Sequence, residues 1–198
     1  MRVLNLYSGI GGNRKLWNNC DVTAVEIVPA IAEIYKKTYP SDNVIIGDAK
    51  QYLLDNYDKF DFIWASPPCI THSKVKRSTC AKPYYQDMSL YEIILFMKNF
   101  VKCNWIVENV ITFYKPLIPP TCLMDSHYFW SNAFIMNSGD NIKFRNHNGQ
   151  LKELAEDNMI NIRLLDGLDY STKRKLLRNC TSPVTSKKLF DYIRHFSI

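Results

Sequence analysis

The sequence predicts an α/β fold, a mostly parallel sheet with helices on both faces. Three observations predict it. Short β-branched or apolar runs alternate with helix-like stretches through the first half, the pattern of a parallel sheet covered by helices. Each run ends in glycine, proline or a carboxylate, the residue types found where such sheets bind ligands. The chain has 198 residues, which suits one domain with a core that needs no disulfide or metal.

In chain order, strands are expected at Val3–Tyr7, Val22–Glu26, Val44–Ile46, Phe60–Ala65 and Trp105–Val107. Helices are expected near Gly12–Asn18, Pro29–Thr38, Ala49–Asn56 and Asp87–Val101. Pro29 suits an early helical position, where its missing N–H costs nothing. Asp87 is a helix cap ahead of an apolar face at Leu90, Ile93, Ile94 and Met97. Thr112–Thr121, with three prolines, reads as a connector. His127–Met136 reads as a strand, Ser138–Gln150 as a hairpin or loop, and Ser171–Asn179 and Val184–Phe196 as closing helices. The expected division is residues 1–125, 126–162 and 163–198.

Lys and Arg total 25 against 19 Asp and Glu, a net charge of +6 that permits a polyanionic partner. No apolar run reaches the roughly 20 residues of a membrane span, and the N-terminus lacks the pattern of a signal peptide. A soluble protein in the cytoplasm is expected. The six cysteines show no C-x-x-C pair and read as free thiols. A zinc site from Cys69, His72 and Cys80 lacks an evident fourth ligand, so no metal is expected.

The carboxyl ends of the strands carry the chemistry. After the first comes Tyr7-Ser8-Gly9-Ile10-Gly11-Gly12, a turn that lets backbone pass close to a ligand ahead of a helix N-terminus. It lacks the Lys-Ser/Thr of a phosphate loop. Glu26 ends the second strand, where an acid can accept ribose hydroxyls or simply be solvated. Asp48 can cap the next helix or accept from an adenine amino group. The fourth strand runs into Ser66-Pro67-Pro68-Cys69, a stiff turn that holds Cys69 as a nucleophile. The fifth ends in Glu108-Asn109, an acid able to donate a proton and an amide able to fix the backbone.

These segments resemble the cytosine-5 DNA methyltransferases. The resemblance rests on LYSGIGG, the acid in VEIV, GDA, SPPC and VENV, in order across Tyr7–Val110. It implies a Rossmann-like, S-adenosylmethionine-dependent fold with a very small C-terminal target-recognition region. It implies that Cys69 adds to C6 of cytosine, that Glu108 serves N3, and that C5 takes the methyl group, leaving S-adenosylhomocysteine. It assigns the cofactor to Tyr7, Ser8, Gly9, Ile10, Gly11, Gly12, Glu26, Ile27, Asp48, Ala49, Pro67 and Asn179. It assigns the substrate side to Pro68, Ser73, Lys74, Lys76, Arg77, Asn109 and His127. The implied partner is double-stranded DNA whose target base is flipped out, with RNA a further possibility and a monomer favoured.

Lys74, Lys76, Arg77 and Lys82 form a basic, mobile loop suited to phosphates, or a solvated loop. A second basic cluster, Lys173, Arg174, Lys175, Arg178, Lys187, Lys188 and Arg194, reads as solubilising helix faces or, less favoured, as a DNA-facing edge. The family's Arg-His-Arg-aromatic block has Ser126-His127-Tyr128-Phe129 as its counterpart, so both arginine positions are lost. The closing G-N-x-x-P block has Arg178 for its glycine. Ser131–Asn161 leaves little room for base readout, so a short or relaxed target of about two to four base pairs is expected. The compactness is similar to short phage members, which suits a phage or restriction-modification setting. The rival readings are an amino-methyltransferase, which would carry an aromatic at Cys69, and a methyltransferase-like binder without turnover.

Overall fold

The computed structural model describes residues 1–79, 82–133, 135 and 149–195. The strands are β1 (Arg2–Leu6), β2 (Asp21–Glu26), β3 (Asn43–Ile46), β4 (Phe62–Ala65), β5 (Asn104–Val110), β6 (Cys122–Met124) and β7 (His127–Ser131). The helices are α1 (Pro29–Thr38), α2 (Ala49–Asn56), α3 (Lys74–Thr79), α4 (Ser89–Phe100), α5 (Leu151–Asp157), α6 (Tyr170–Arg178) and α7 (Pro183–His195). One seven-stranded sheet runs in the order β3-β2-β1-β4-β5-β7-β6. Strands β1 to β5 pair parallel, and β7 pairs antiparallel with both β5 and β6. The chain steps outward from β1 to β3, then returns to place β4 on the other side of β1. The crevice beyond the β1 and β4 carboxyl ends is therefore the topological switch point, where such sheets bind ligands.

Alternate residues of the strands face two separate cores. On one face Leu4, Leu6, Ile63, Ala65, Trp105, Val107 and Trp130 pack against α2 and α4. On the other, Val3, Phe62, Trp64, Ile106 and Phe129 pack with Trp17 and with Leu189, Phe190 and Ile193 of α7. Trp17 stacks on Phe190 with ring centroids 5.0 Å apart, a geometry worth about 0.5–1.5 kcal/mol beyond burial. A third cluster joins Ile10 and Ile34 to Leu154, Leu165, Leu176, Leu177 and Cys180, so α5 and α6 pack beside the β1 turn and α1.

Several elements differ from the sequence expectation. Gly12–Asn18 forms only a short 3-10 turn, Asn13–Leu16, not a helix. Trp17 turns extended there because its ring enters the core and its carbonyl accepts from Arg14 Nη1 at 2.7 Å. The expected helix N-terminus after the glycine turn is therefore absent. The basic segment after Cys69 is not a free loop. It folds into α3 and is tied to the connector by a Ser73–Thr112 bridge and by Phe113 N–H donating to the His72 carbonyl at 3.1 Å. β5 runs longer than expected because β7 pairs with Ile106–Val110. β7, inside the stretch assigned to target recognition, is a strand of this same sheet. Residues 138–148 of the proposed hairpin, with 134, 136 and 137 of the Ser131–Asn161 stretch, lie outside the described residues, as do Cys80, the Lys76 side chain and Phe196. No described helix is long and apolar enough to cross a membrane.

A two-residue turn joins β6 to β7, with φ of +45° at Asp125 and +68° at Ser126. These values define the left-handed hairpin turn that usually carries Asn-Gly. Ser126 also buries its hydroxyl without a partner. Ser126→Gly is expected to raise unfolding free energy by about 0.5–1 kcal/mol, measured by urea denaturation.

Candidate active site

The glycine turn after β1 is built from left-handed backbone at Tyr7 (φ +55°), Gly9 (+54°) and Gly11 (+80°). Gly11 is sterically obligatory, since a Cβ there would lie 2.3 Å from the Tyr39 ring and 2.8 Å from that of Tyr35. Tyr39 Oη donates to the Gly11 carbonyl at 2.7 Å. Arg14 grips Asp42 through Nε and Nη2 at 2.9 and 3.1 Å, and Tyr35 Oη donates to the same carboxylate. A buried amide pair, Asn5 with Asn13, closes the other side. The turn is thus held in shape before any ligand arrives.

Glu26 completes it. Its two oxygens accept from Gly9 N–H at 3.0 Å and Val28 N–H at 2.9 Å, so the carboxylate locks the β1 turn to the end of β2. Ile27 beside it is 61% exposed, an apolar platform at the crevice. Asp48 caps α2 through Oδ1, which accepts from Lys50 and Gln51 N–H, leaving Oδ2 without a protein donor among the described residues. The residues fit an adenosine-type cofactor on two further observations. The Ser8 hydroxyl is buried without a partner, and a Cβ built on Gly9 meets nothing within 4 Å. Ile10 and Ala49 instead turn their side chains into the cores. Gly12 packs so closely on Cys180 that a Cβ would meet Cys180 Cβ at 2.5 Å. Asn179 is exposed at the end of α6, next to that contact.

Beyond β4, Trp64 Nε1 donates to Ser66 Oγ at 2.9 Å, Pro67 is buried, and Pro68 is exposed. The Cys69 carbonyl accepts from His72 and Ser73 N–H, so Cys69 begins a tight turn. Asn109 sets its position from β5. Its Nδ2 donates to the Pro67 carbonyl at 3.0 Å, and its Oδ1 accepts from Val110 N–H. The Cys69 thiol is pushed up to about 11, by burial first and by the Glu108 carboxylate second, with Lys175 opposing. It is therefore a protonated thiol at neutral pH, and it lies within electrostatic reach of Glu108.

Glu108 is 6% exposed and held from two sides. Oε2 accepts from Thr181 Oγ1 at 3.0 Å, and Oε1 lies 3.5 Å from His127 Nε2. Thr181 was not singled out in the sequence as a site residue, although it sits in the closing block between Asn179 and Pro183. Register places the counterparts of the arginine block relative to Glu108. Phe129 pairs with Glu108 and Tyr128 with Asn109, so Tyr128 lies on the opposite face from Glu108 and packs toward the α4 core. Ser126 lies in the hairpin turn, so neither expected arginine position meets the acid.

Lys74 and Arg77 are exposed on α3. His72 is fully buried with its Nδ1 2.6 Å from Tyr114 Oη, and burial lowers its affinity for a proton. In the second basic cluster, Lys173 pairs with Asp166, Lys187 with Asp191, and Arg174 donates to the Gly149 carbonyl. Those cations serve the surface of the C-terminal helices, whereas Lys175 bears on Cys69.

A mostly parallel sheet with an antiparallel β7, a glycine turn after β1 and a Cys-Glu pair at the ends of neighbouring β4 and β5 are the features of a methyltransferase fold. The solved structure of the Entamoeba histolytica methyltransferase EhMeth shares that fold, with a TM-score of 0.55 at 12% identity over 98% of this chain and 97% of that one. The C-5 cytosine-specific DNA methylase family matches residues 1–116, and the chain belongs to that family. It is 32% identical over 84 residues to the human tRNA (cytosine(38)-C(5))-methyltransferase, a match covering 39% of this chain and 22% of that protein. It is 26% identical over 166 residues to the type II methyltransferase M1.HgaI of Avibacterium volantium, covering 79% of this chain and 42% of that one. The matches thus span less than half the length of either relative.

The thiol's suppressed ionisation is directly testable. Iodoacetamide labelling of Cys69, followed by peptide mapping, is expected to accelerate about tenfold per pH unit from pH 7 to 10. Glu108→Gln removes one of the two causes of suppression and is expected to raise the rate at pH 8 by about tenfold.

Proposed function

We propose that the chain transfers a methyl group from S-adenosylmethionine to C5 of cytosine in DNA through a covalent Cys69 adduct. The carrying observation is the Cys69–Glu108 pair, set at the ends of neighbouring strands by the Asn109–Pro67 bond. When bound, the cofactor supplies an electrophilic methyl group. Ser8, Gly9, Glu26, Ile27 and Asp48 are the residues that would hold it at the glycine turn.

The chain's own residues account for the rest. Cys69 gives its proton to water, and the thiolate Sγ bonds to C6 of the flipped base. Glu108 donates a proton to N3, which balances the electron density pushed toward C5. After C5 is alkylated, its proton leaves to a base, the Sγ–C6 bond breaks, and N3 returns its proton. Burial strengthens each of these charge interactions. The raised thiol costs nothing in specificity. It makes attack depend on a base that engages Glu108 and removes the carboxylate's opposition.

The family's description and the long match to M1.HgaI support DNA. The match to the tRNA enzyme favours RNA as a second reading, since a flipped cytosine presents the same face to Cys69. Lys74 and Arg77 on α3 are the candidate phosphate contacts, and a short or relaxed target remains part of this proposal. The test is trapping with 5-fluorocytosine in duplex DNA of many contexts and, separately, in RNA hairpins. Fluorine at C5 blocks the final elimination. A denaturant-stable adduct with DNA that Cys69→Ala abolishes is expected. An adduct with RNA alone would replace the DNA reading, and no adduct with either would overturn catalysis.

A further inference from the structure

His127 meets Glu108 through strand register. It pairs with Val110, two residues from Glu108, so both project from one face of the β5–β7 pair. Its Nδ1 lies 3.0 Å from the Asp125 carbonyl oxygen, the product of the left-handed turn at Asp125–Ser126. A carbonyl can only accept, so Nδ1 carries a proton in every ionisation state of the ring. Nε2 then faces Glu108 Oε1 at 3.5 Å with a lone pair or, in the imidazolium, with a second proton. A lone pair against a carboxylate is repulsive, so this approach favours a proton on Nε2 facing Oε1, at a separation that must shorten for transfer. The two side chains are 13% and 8% exposed, so water screens the pair weakly.

We propose that His127 is the positioning residue that hands this proton to Glu108, so that the glutamate meets cytosine N3 as an acid. This rests on the reading of Cys69 and Glu108 given above. The transfer balances: imidazolium plus carboxylate becomes neutral imidazole, protonated on Nδ1, plus carboxylic acid. The acid's proton goes to N3 as the Cys69 Sγ–C6 bond forms, and it returns along the same path on elimination. Protonating Glu108 also removes the negative charge that opposes Cys69 ionisation. Acid formation and nucleophile formation are thereby coupled. Thr181 Oγ1 on Oε2 keeps the second oxygen in place during the transfer. Of the charged and titratable groups nearby, Cys69 beyond β4 interacts with Glu108, Lys175 on α6 acts on Cys69, and the Asp125 carboxylate in the turn accepts from Thr185 Oγ1 of α7. Met124 of β6 lies opposite His127.

The test compares the pH dependence of 5-fluorocytosine trapping in the wild type, His127→Gln and His127→Arg. The wild type is expected to give a bell, rising as Cys69 ionises and falling on the alkaline side as the imidazolium is lost. His127→Gln is expected to trap about 100-fold more slowly. His127→Arg supplies a permanent cation that cannot release a proton, and it is expected to trap as slowly as His127→Gln. Calorimetric binding of S-adenosylhomocysteine should be the same in all three, which separates a proton-transfer defect from misfolding. Long-range proton–nitrogen spectra of the wild type supply a check independent of any variant, with a proton expected on His127 Nδ1 throughout its titration. A wild-type rate in His127→Gln, a rate restored by His127→Arg, or a bare Nδ1 would each overturn the inference while leaving Cys69 catalysis standing. A wild type that traps neither DNA nor RNA overturns both.

Discussion

The geometry of the site depends on one side-chain amide. Asn109, 1% exposed at the end of β5, ties the Pro67 carbonyl to its own strand. Parallel pairing sets β4 beside β5 up to Ala65 and Val107, and there the ladder stops. Without a further tie, the Pro-Pro turn would leave the sheet at an angle set only by proline's fixed φ. The Asn109 bond extends the pairing by a side chain and fixes where Cys69 emerges relative to Glu108. The neighbouring bond from Val110 N–H to Asn109 Oδ1 orients that amide. Both of its polar ends are spent on position, which is why it is buried where few amides can be satisfied.

The remaining parts converge on this point from distant stretches of chain. Glu26 closes the glycine turn from β2, Tyr39 and Asp42 brace it from α1 and the loop beyond, and Cys180 seals it from the end of α6. One residue further on, Thr181 reaches Glu108. The closing segment therefore touches the glycine turn with one residue and the Glu108 carboxylate with the next. A displacement at either is felt at the other through a single peptide unit.

The parallel half of the fold was legible in the sequence because it is locally determined. α1 and α2 begin and end as expected because Pro29 opens the first and Asp48 caps the second. Glu26, Asp48, Cys69 and Glu108 were legible because a strand's carboxyl end is marked by the chain that follows it. The failures came where distant contacts prevail over local pattern. The turn at Asn13–Leu16 is cut short by Trp17, whose ring belongs to a core completed by α7. β6 has only three residues and exists through its pairing with β7. The register of β7 is a cross-strand property, so sequence alone placed the lost arginines at Ser126 and Tyr128. Thr181 was hidden for the same reason, 73 residues from the carboxylate it serves. α5 was legible in principle, since Gln150 and Glu153 form a capping box at its start.

The docking of α7 has a bearing on how the protein is made. Ser186 Oγ donates to the Asn13 carbonyl and accepts from Trp17 Nε1, so the first turn of the chain is completed by nearly its last helix. At about 5–20 residues per second, a ribosome needs roughly 4–16 s to pass from the connector to the end of α7. Through that interval the nascent chain already carries Cys69 and Glu108, but one face of its sheet is uncovered. Contacts this remote in sequence make for slow closure. Chaperones that shield apolar strands would act in that window, and a truncated translation product would expose an adhesive sheet with Cys69 and Glu108 not yet enclosed.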